Sequence, residues 1–515
     1  MLARCLSATL QGLEASPVTV EVDLAPGLPG VQLVGLPDKA IQESRERVRS
    51  ALRNSGFRGP LVRVVINLAP ADQRKEGPAF DLPIALALLV ASGQLDGRHL
   101  KGLWCAGELG LDGTLRACRG VIAMADLAAK LGAKALVVPP ANADEAGLIQ
   151  GLEIHTADNL HELVNQLRQG HSTPAVAASS LSKPEPQQQN FDWDATDEPG
   201  SKALALAAAG GHHLLLVGPP GCGKTRLAQQ LAHVLPPLDH EDALTITRIH
   251  SVAGVLPKQV VLQSQRPFRA PHHRCTAASL LGGGVTPKPG EISLAHAGVL
   301  FLDELGEFPR AVLDQLRQPL EQGVVRISRT RFKTEFPCAV TLVAATNPCP
   351  CGWHGDEQHG CRCTLSQRRR YWQRLSGPLL DRIDLQLRME RRSAAAIRRK
   401  FRQQKQTTQP FNPWLKPCII QQARQRMEQR NPQGCLNRNL SANDLNQLGS
   451  FQPDALNLWE QVVARRALST RSGLQLLRVS RTIADLHQSP SVTSEAIAEA
   501  SCFRCSEHIM AATAG

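Results

Sequence analysis

Residues 218–225 read GPPGCGKT, and no other stretch limits the fold of its surroundings as tightly. They match G-x-x-x-x-G-K-[ST] at every fixed position. That pattern belongs to a loop between a buried strand and a helix, where backbone N–H groups wrap phosphate. The flanks agree: His213–Val217 is a short apolar run that predicts a strand, and Lys224–Val234 predicts a helix. Gly218, Gly221 and Gly223 allow the tight turns, and Pro219, Pro220 and Cys222 fill the variable positions. The helix points the positive end of its dipole at the phosphates. Lys224 is the expected contact to the β- and γ-phosphates and Thr225 the expected Mg²⁺ ligand. ATP with Mg²⁺ is therefore the expected cofactor pair.

A second signal lies about 80 residues on. Gly298–Leu302 predicts a buried strand, and Asp303 and Glu304 emerge at its end. Asp303 is expected to hold Mg²⁺ through water, and Glu304 to polarise the attacking water as a general base. Ala339–Ala345 predicts a third strand, with Asn347 just beyond it. An amide there can orient water against the γ-phosphate, although an Asn before Pro348 is by itself an ordinary turn residue. Strands alternating with helices imply an α/β core with a parallel sheet. Two arginines bear on hydrolysis. Arg382, in GPLLDRIDL, is either a structural ion pair between Asp381 and Asp384 or an arginine finger reaching a neighbouring subunit. Arg478, in LQLLRVSRTIADL, can touch the γ-phosphate from a late helix, with Arg481 the alternative.

At 515 residues the chain is too long for one typical domain. Residues 169–190 are rich in Ser, Pro, Ala and Gln and predict a linker. It separates an N-terminal domain, 1–168, from an ATPase core, 191–392. Beyond 393, Leu476, Val479, Ile483 and Leu486 fall at helical spacing, so 393–515 predicts a helical lid. The start MLARCLSATLQGLE has no secretory pattern. The longest apolar runs fall short of the ~20 residues of a membrane span. A cytoplasmic protein with reduced cysteines and no membrane partner is expected.

Fourteen cysteines are present. Cys349, Cys351, Cys361 and Cys363 form C-x-C, nine residues, then C-x-C. Four thiolates so spaced suit a structural tetrahedral Zn²⁺ site, with His354 or His359 able to replace one of them. A reduced, cysteine-rich loop is the plainer account. The balance of 58 Lys and Arg against 46 Asp and Glu gives +12, which favours an anionic partner but also fits a solvated basic surface. Arg368, Arg369, Arg370 and Arg374 follow the cysteines, and Arg391, Arg392, Arg398, Arg399, Lys400, Arg402 and Lys405 come next. Such runs on an ATPase suit the DNA backbone, although each alone also fits a solvated helix face. RPFRAPHHRC (266–275) and LLGGGVTPKPG (280–290) are expected to form a pore loop gripping a strand, with Arg269, His272, His273 and Arg274 nearby. Aromatic residues are only 4% of the chain, so base-stacking platforms are not prominent.

With these pieces in place the chain resembles the ComM/YifB family of magnesium-chelatase-like AAA+ proteins. The likeness runs through VGLPDKAIQESRERV (34–48), NLAPADQRKEGPAFDLPIA (67–85), RPFRAPHH (266–273), GEISLAHAGVLFLDELGEF (290–308), NPCPCG (347–352), SGPLLDRIDL (376–385) and LLRVSRTIADL (476–486). It implies the sensor-1 role for Asn347, the finger role for Arg382 and the lid-sensor role for Arg478. It also implies a hexameric ring that drives branch migration in recombination or natural transformation, with a lid that moves on hydrolysis. The N-terminal domain resembles the proteolytic domain of Lon. Where such proteases carry serine, in KEGPAFD (75–81), this chain has Ala79, and the region of the partner lysine offers only Arg116 and Arg119. Alanine cannot attack and arginine does not release its proton, so a non-proteolytic relative is expected. The competing reading is a chelatase-like motor that remodels a protein partner or assists metal insertion. DNA-stimulated ATP hydrolysis separates the two.

Overall fold

The structure is a computed structural model, and it describes residues 2–59, 61–170, 198–257, 262–284, 287–329, 332–356, 358–375, 377–391 and 413–504. The basic run 392–405 and nearly all of the predicted linker lie outside the described residues. The linker's first residue, Gln169, instead closes the helix Leu160–Gln169, which Gly170 caps at φ 66°. Among the described residues no helix is long and apolar enough to cross a membrane.

The N-terminal unit is built on a mixed seven-stranded sheet. Its order is Gly30–Val34, Arg63–Ala69, Glu14–Ala25, Leu2–Gln11, Leu103–Cys105, Ala135–Val137, Glu153–His155. The long hairpin Leu2–Gln11/Glu14–Ala25 is antiparallel over its whole length. The helix Asp81–Ala91 is apolar almost all round (DLPIALALLVA), and all but Val90 are buried. A helix of that kind belongs inside a core rather than on a surface.

The ATPase core holds a five-stranded sheet in the order Phe268–Arg269, Val299–Leu302, Thr341–Thr346, Leu214–Val217, Leu385–Arg388, with every pairing parallel. The three central strands are buried at every residue. Their uninterrupted apolar sequences follow from helices covering both faces. The three predicted strands are all present. The third begins at Thr341 rather than Ala339, because the backbone of Ala339 is engaged elsewhere: its N–H donates to His296 Nδ1 and its carbonyl accepts from Ala297. The helix Lys224–Val234 has the predicted bounds.

The lid is helical, as expected: Pro417–Arg430, Ala442–Leu448, Pro453–Arg465, Thr470–Leu486 and Ser494–Cys502. Leu476, Val479, Ile483 and Leu486 are buried in one cluster with the P-loop strand. Buried polar groups tie lid to core. His212 lies 3.3 Å from Asp384 through Nδ1 and 2.8 Å from Thr482 Oγ1 through Nε2. Within the lid itself, Asp485 accepts from Arg430, Arg481 and Asn437. The N-terminal unit docks on the helix His240–Ala253. There Glu145 accepts from Ser251, Arg248 pairs with Asp126 at 3.1 Å, and Ile122 and Leu148 pack with Leu244, Leu256 and Leu262.

Next to His212, His213 Nδ1 accepts the Leu342 N–H at 2.9 Å, and Arg438 stands 2.9 Å from Nε2. Burial first, then Arg438, push the His213 pKa well below 6.5, against the opposing pull of Asp384. The folded protein keeps this ring neutral where the unfolded chain would protonate it. Stability is therefore lost as pH falls below about 6.5, by up to about 1.4 kcal/mol per pH unit. His213→Gln keeps an acceptor for Leu342 but does not titrate. Its denaturant midpoint should depend less on pH between about 7.5 and 5.5 than that of the parent chain.

Candidate active site

The parallel register brings three strand ends to one edge. Val217 pairs with Thr346, and Leu302 with Ala344, so Gly218, Asp303 and Asn347 leave the sheet side by side. The loop between strand and helix turns through Gly221 and Gly223 at φ 77° and 97°, which favour glycine. A Cβ at Gly218 would lie 2.7 Å from the Met389 carbonyl. Lys224 Nζ donates to the carbonyls of Gly218 and Pro219 at 2.7 and 3.1 Å and to Asn347 Oδ1 at 3.2 Å. Burial pushes its pKa down, while Asp303 and Glu304 pull the other way. Thr225 Oγ1 donates to Asp303 Oδ2 at 3.2 Å. The predicted phosphate, metal and sensor groups thus meet. A lysine, a hydroxyl beside a carboxylate and an amide, all at a helix N-terminus, can hold a triphosphate with its Mg²⁺.

Glu304 sits at φ 52°, ψ 48°, and its N–H donates to Asp303 Oδ1 at 2.9 Å. Its carboxylate stands 3.1 Å from His273 Nδ1. The sequence flags His273 only as part of a gripping loop, and nothing in the spacing ties it to Glu304. Asn347 is held from behind: Trp372 Nε1 donates to the Pro348 carbonyl at 3.1 Å, and Tyr371 Oη lies 2.9 Å from Thr346 Oγ1.

Directly after Asn347 the four cysteines converge. Cys349, Cys351, Cys361 and Cys363 have sulfurs all within 4.8 Å of one another, with Cys349–Cys351 at 3.3 Å and Cys361 at 3.7 Å from both. A tetrahedral Zn²⁺ with Zn–S of about 2.3 Å needs sulfurs about 3.8 Å apart, so the donor set fits. Burial and the neighbouring Cys351 push the Cys349 thiol up to about 12. Burial also raises Cys351, but the N–H groups of Trp353 and Arg362 and the Cys349 thiol outweigh it and bring it to about 6. Neither histidine joins the set. His354 faces Arg368, and His359 stacks on Trp353 at 4.3 Å and pairs with Asp356. Gly352 closes the loop against Pro220, where an added Cβ would stand 2.8 Å from the proline ring.

Arg382 does not pair with Asp381 or Asp384. Its guanidinium bonds Glu321 at 2.9 Å and the Pro378 carbonyl at 2.7 Å. Glu321 also takes Arg471 at 2.6 Å. Partial burial raises the Glu321 pKa, but the two arginines hold it below the usual value. Arg478, two turns on from Arg471, donates to the Leu440 carbonyl at 2.8 Å. Its contact is with the lid rather than with Lys224. Arg481 is 1% exposed and locked to Asp485 and three carbonyls, which makes it a lid-core residue. Arg269 also departs from expectation. It forms a two-pronged bond to Glu291 at 2.7 and 2.9 Å, so it braces the edge strand instead of offering a free cation. Arg274 is exposed. Arg310, Arg370 and Arg374 line an open cleft of about 420 Å³ with Glu307 and Phe308. In the N-terminal unit Ala79 is buried in a short turn, and Arg119 lies against Gly254 of the core.

Asn347→Ala removes the acceptor shared with Lys224 without touching the phosphate loop. Nucleotide affinity should stay within about threefold while turnover falls about tenfold or more, a barrier change of at least about 1.4 kcal/mol. Equilibrium nucleotide binding beside steady-state hydrolysis checks this.

Three family descriptions match the chain: magnesium chelatase, subunit ChlI, over residues 195–397; subunit ChlI of Mg-chelatase over 20–142; and the subunit ChlI C-terminal region over 418–504. The protein YifB of Escherichia coli strain K12 is 41% identical over 510 residues, covering 97% of this chain and 96% of its own. The competence protein ComM of Haemophilus influenzae is 40% identical over 509 residues, covering 98% and 97%. Lon protease 2 of Bacillus subtilis is 28% identical over 170 residues, 31% of each chain. With two relatives this similar over nearly their whole length, and the chelatase descriptions spanning most of the residues, the chain belongs to the ComM/YifB family of magnesium-chelatase-like AAA+ proteins.

Proposed function

We propose that the protein is an ATP-driven motor on DNA that promotes branch migration in homologous recombination or natural transformation. The observation that carries the ATPase part is the joined constellation Lys224–Asn347 and Thr225–Asp303, with Glu304 at the same strand edge. Lys224 and the backbone of 218–225 bind the phosphates. Thr225 and Asp303 hold Mg²⁺, which supplies charge neutralisation at the transferring phosphoryl group. Glu304 takes the proton of the attacking water, and Asn347 orients that water. Arg382 and Arg478 have their contacts on Glu321, Pro378 and Leu440, none of them in the phosphate loop. Arg382 of a second copy completes the site, while Arg478 senses the nucleotide from its own lid; the first supports a ring, read here as a hexamer.

Support for DNA is of a different kind. One relative carries the name competence protein. The chain carries +12, and Arg310, Arg370 and Arg374 form an exposed basic cleft beside the Glu304 loop. Cations in that arrangement track phosphates without reading sequence. The test is ATP hydrolysis with and without single-stranded and four-way-junction DNA, at two salt concentrations. Stimulation of about fivefold or more that fades at higher salt is expected. Hydrolysis indifferent to DNA overturns the reading in favour of a chelatase-like motor on a protein partner or in metal insertion.

The same reading assigns a structural Zn²⁺ to Cys349, Cys351, Cys361 and Cys363, whose four sulfurs leave no open ligand position. Purified protein should carry about one zinc per chain. Cys361→Ser should lose most of it and unfold at a lower temperature, by elemental analysis and thermal melting.

A further inference from the structure

The helix Leu365–Arg374 stands between the exposed basic cleft and Asn347, and its two faces do different work. Its start is fixed directly after Cys363, because Thr364 Oγ1 accepts the Gln367 N–H while the Gln367 side chain accepts the Thr364 N–H. On the outer face Arg370 and Arg374, one turn apart, are exposed and line the cleft with Arg310. Glu307 is the single acid among the lining residues, and Asp314 stands 3.9 Å from Arg310. On the inner face Tyr371 and Trp372 are buried. Tyr371, the chain's one tyrosine, has its Oη 2.9 Å from Thr346 Oγ1, and the Asn347 backbone N–H faces the same oxygen. Trp372 Nε1 donates to the Pro348 carbonyl at 3.1 Å. Two adjacent helix residues thus hold the three residues 346–348. The Tyr371 ring also lies against Gly306, where an added Cβ would stand 3.0 Å from it, and Gly306 itself lines the cleft.

An amide can orient water only as well as its own backbone is placed, and a shift of about 1 Å can cost about a hundredfold in rate. Asn347 lies one residue past the last pair of its strand, Thr346 with Val217. The sheet holds it on one side and the two aromatic side chains on the other. A helix is bonded turn to turn and moves as a unit, so a pull on Arg370 or Arg374 reaches Tyr371 and Trp372 beside them. A phosphate bonds guanidinium groups strongly and can bridge several of them. One bridging Arg310, on the helix Arg310–Gln315, to Arg370 and Arg374 would link the two walls of the cleft. We infer that Tyr371 is a positioning residue for Asn347, and that a DNA phosphate in this cleft sets the helix, and through Tyr371 and Trp372 the amide, for turnover. The part played by DNA rests on the motor function proposed above. The positioning by Tyr371 needs only ATP hydrolysis.

The test uses the full-length chain. Tyr371→Phe removes the hydroxyl and keeps the ring on Gly306. Its turnover without DNA should fall about fivefold or more, while KM for ATP and DNA affinity stay within about twofold and the stimulation by DNA is at least halved. Thr346→Val removes the partner hydroxyl and leaves the tyrosine in place, and its turnover should fall in the same way. The double variant should lose no more than Tyr371→Phe alone, because both changes act through one bond. Should Tyr371→Phe melt at a lower temperature, Thr346→Val decides. Unchanged turnover in the single variants, or losses that simply add in the double variant, overturn the positioning role. Turnover that falls while the stimulation ratio stays intact overturns the link to the cleft. If DNA does not stimulate the parent chain, the DNA reading fails and the link with it, and the fall in turnover without DNA still decides the role of Tyr371.

Discussion

The backbone ladder that pairs Val217 with Thr346 and Leu302 with Ala344 decides where the chemistry stands. Each strand contributes one group just past its last paired residue: the phosphate loop, Asp303 with Glu304, and Asn347. No single side-chain bond could hold those groups together, since each is worth only about 1 kcal/mol net. The sheet does so because its central strands are buried on both faces, and a slip of one residue would turn every side chain to the wrong face. Thr225–Asp303 and Lys224–Asn347 are consequences of that register.

Most of this was legible in the sequence, for a physical reason. The phosphate loop and the carboxylate-tipped strand are local patterns, in which the conformation and the chemistry share the same few residues. The helix Lys224–Val234 and the buried stripe Leu476, Val479, Ile483 and Leu486 are legible likewise, because helical spacing is local. What stayed hidden depends on residues far apart in the chain. His273 with Glu304, Arg269 with Glu291 and Arg382 with Glu321 are polar contacts between separate elements, and no spacing rule reports them. Arg478 and Arg481 look alike in sequence, three residues apart on one helix. Only burial separates them, Arg481 being sealed against Asp485 while Arg478 is bonded at Leu440. Where the sequence resembles the proteolytic domain of Lon, Ala79 offers no side chain that could act as a nucleophile.

The cysteine cluster belongs to the nucleotide site more closely than its loop-like sequence suggests. Asn347, Pro348 and Cys349 are consecutive, Trp372 holds the Pro348 carbonyl, and Gly352 rests on Pro220. The four sulfurs close a knot between the phosphate loop and the amide. Only Pro348 separates Cys349 from Asn347, so the cluster stands directly behind the amide that meets Lys224.

The buried bonds of His212 bear on how the molecule can move. One nitrogen meets Asp384 at the edge of the sheet, and the other meets Thr482 in the longest lid helix. Swinging the lid away from the sheet would expose both partners of a fully buried imidazole and strip Arg438 of the Gly211 and Leu320 carbonyls. Sheet and lid are therefore joined through buried polar bonds as well as apolar packing. Arg382 and Arg471, by contrast, share Glu321 on the outside of the joined sheet and lid, where Glu321 and Arg471 reach solvent.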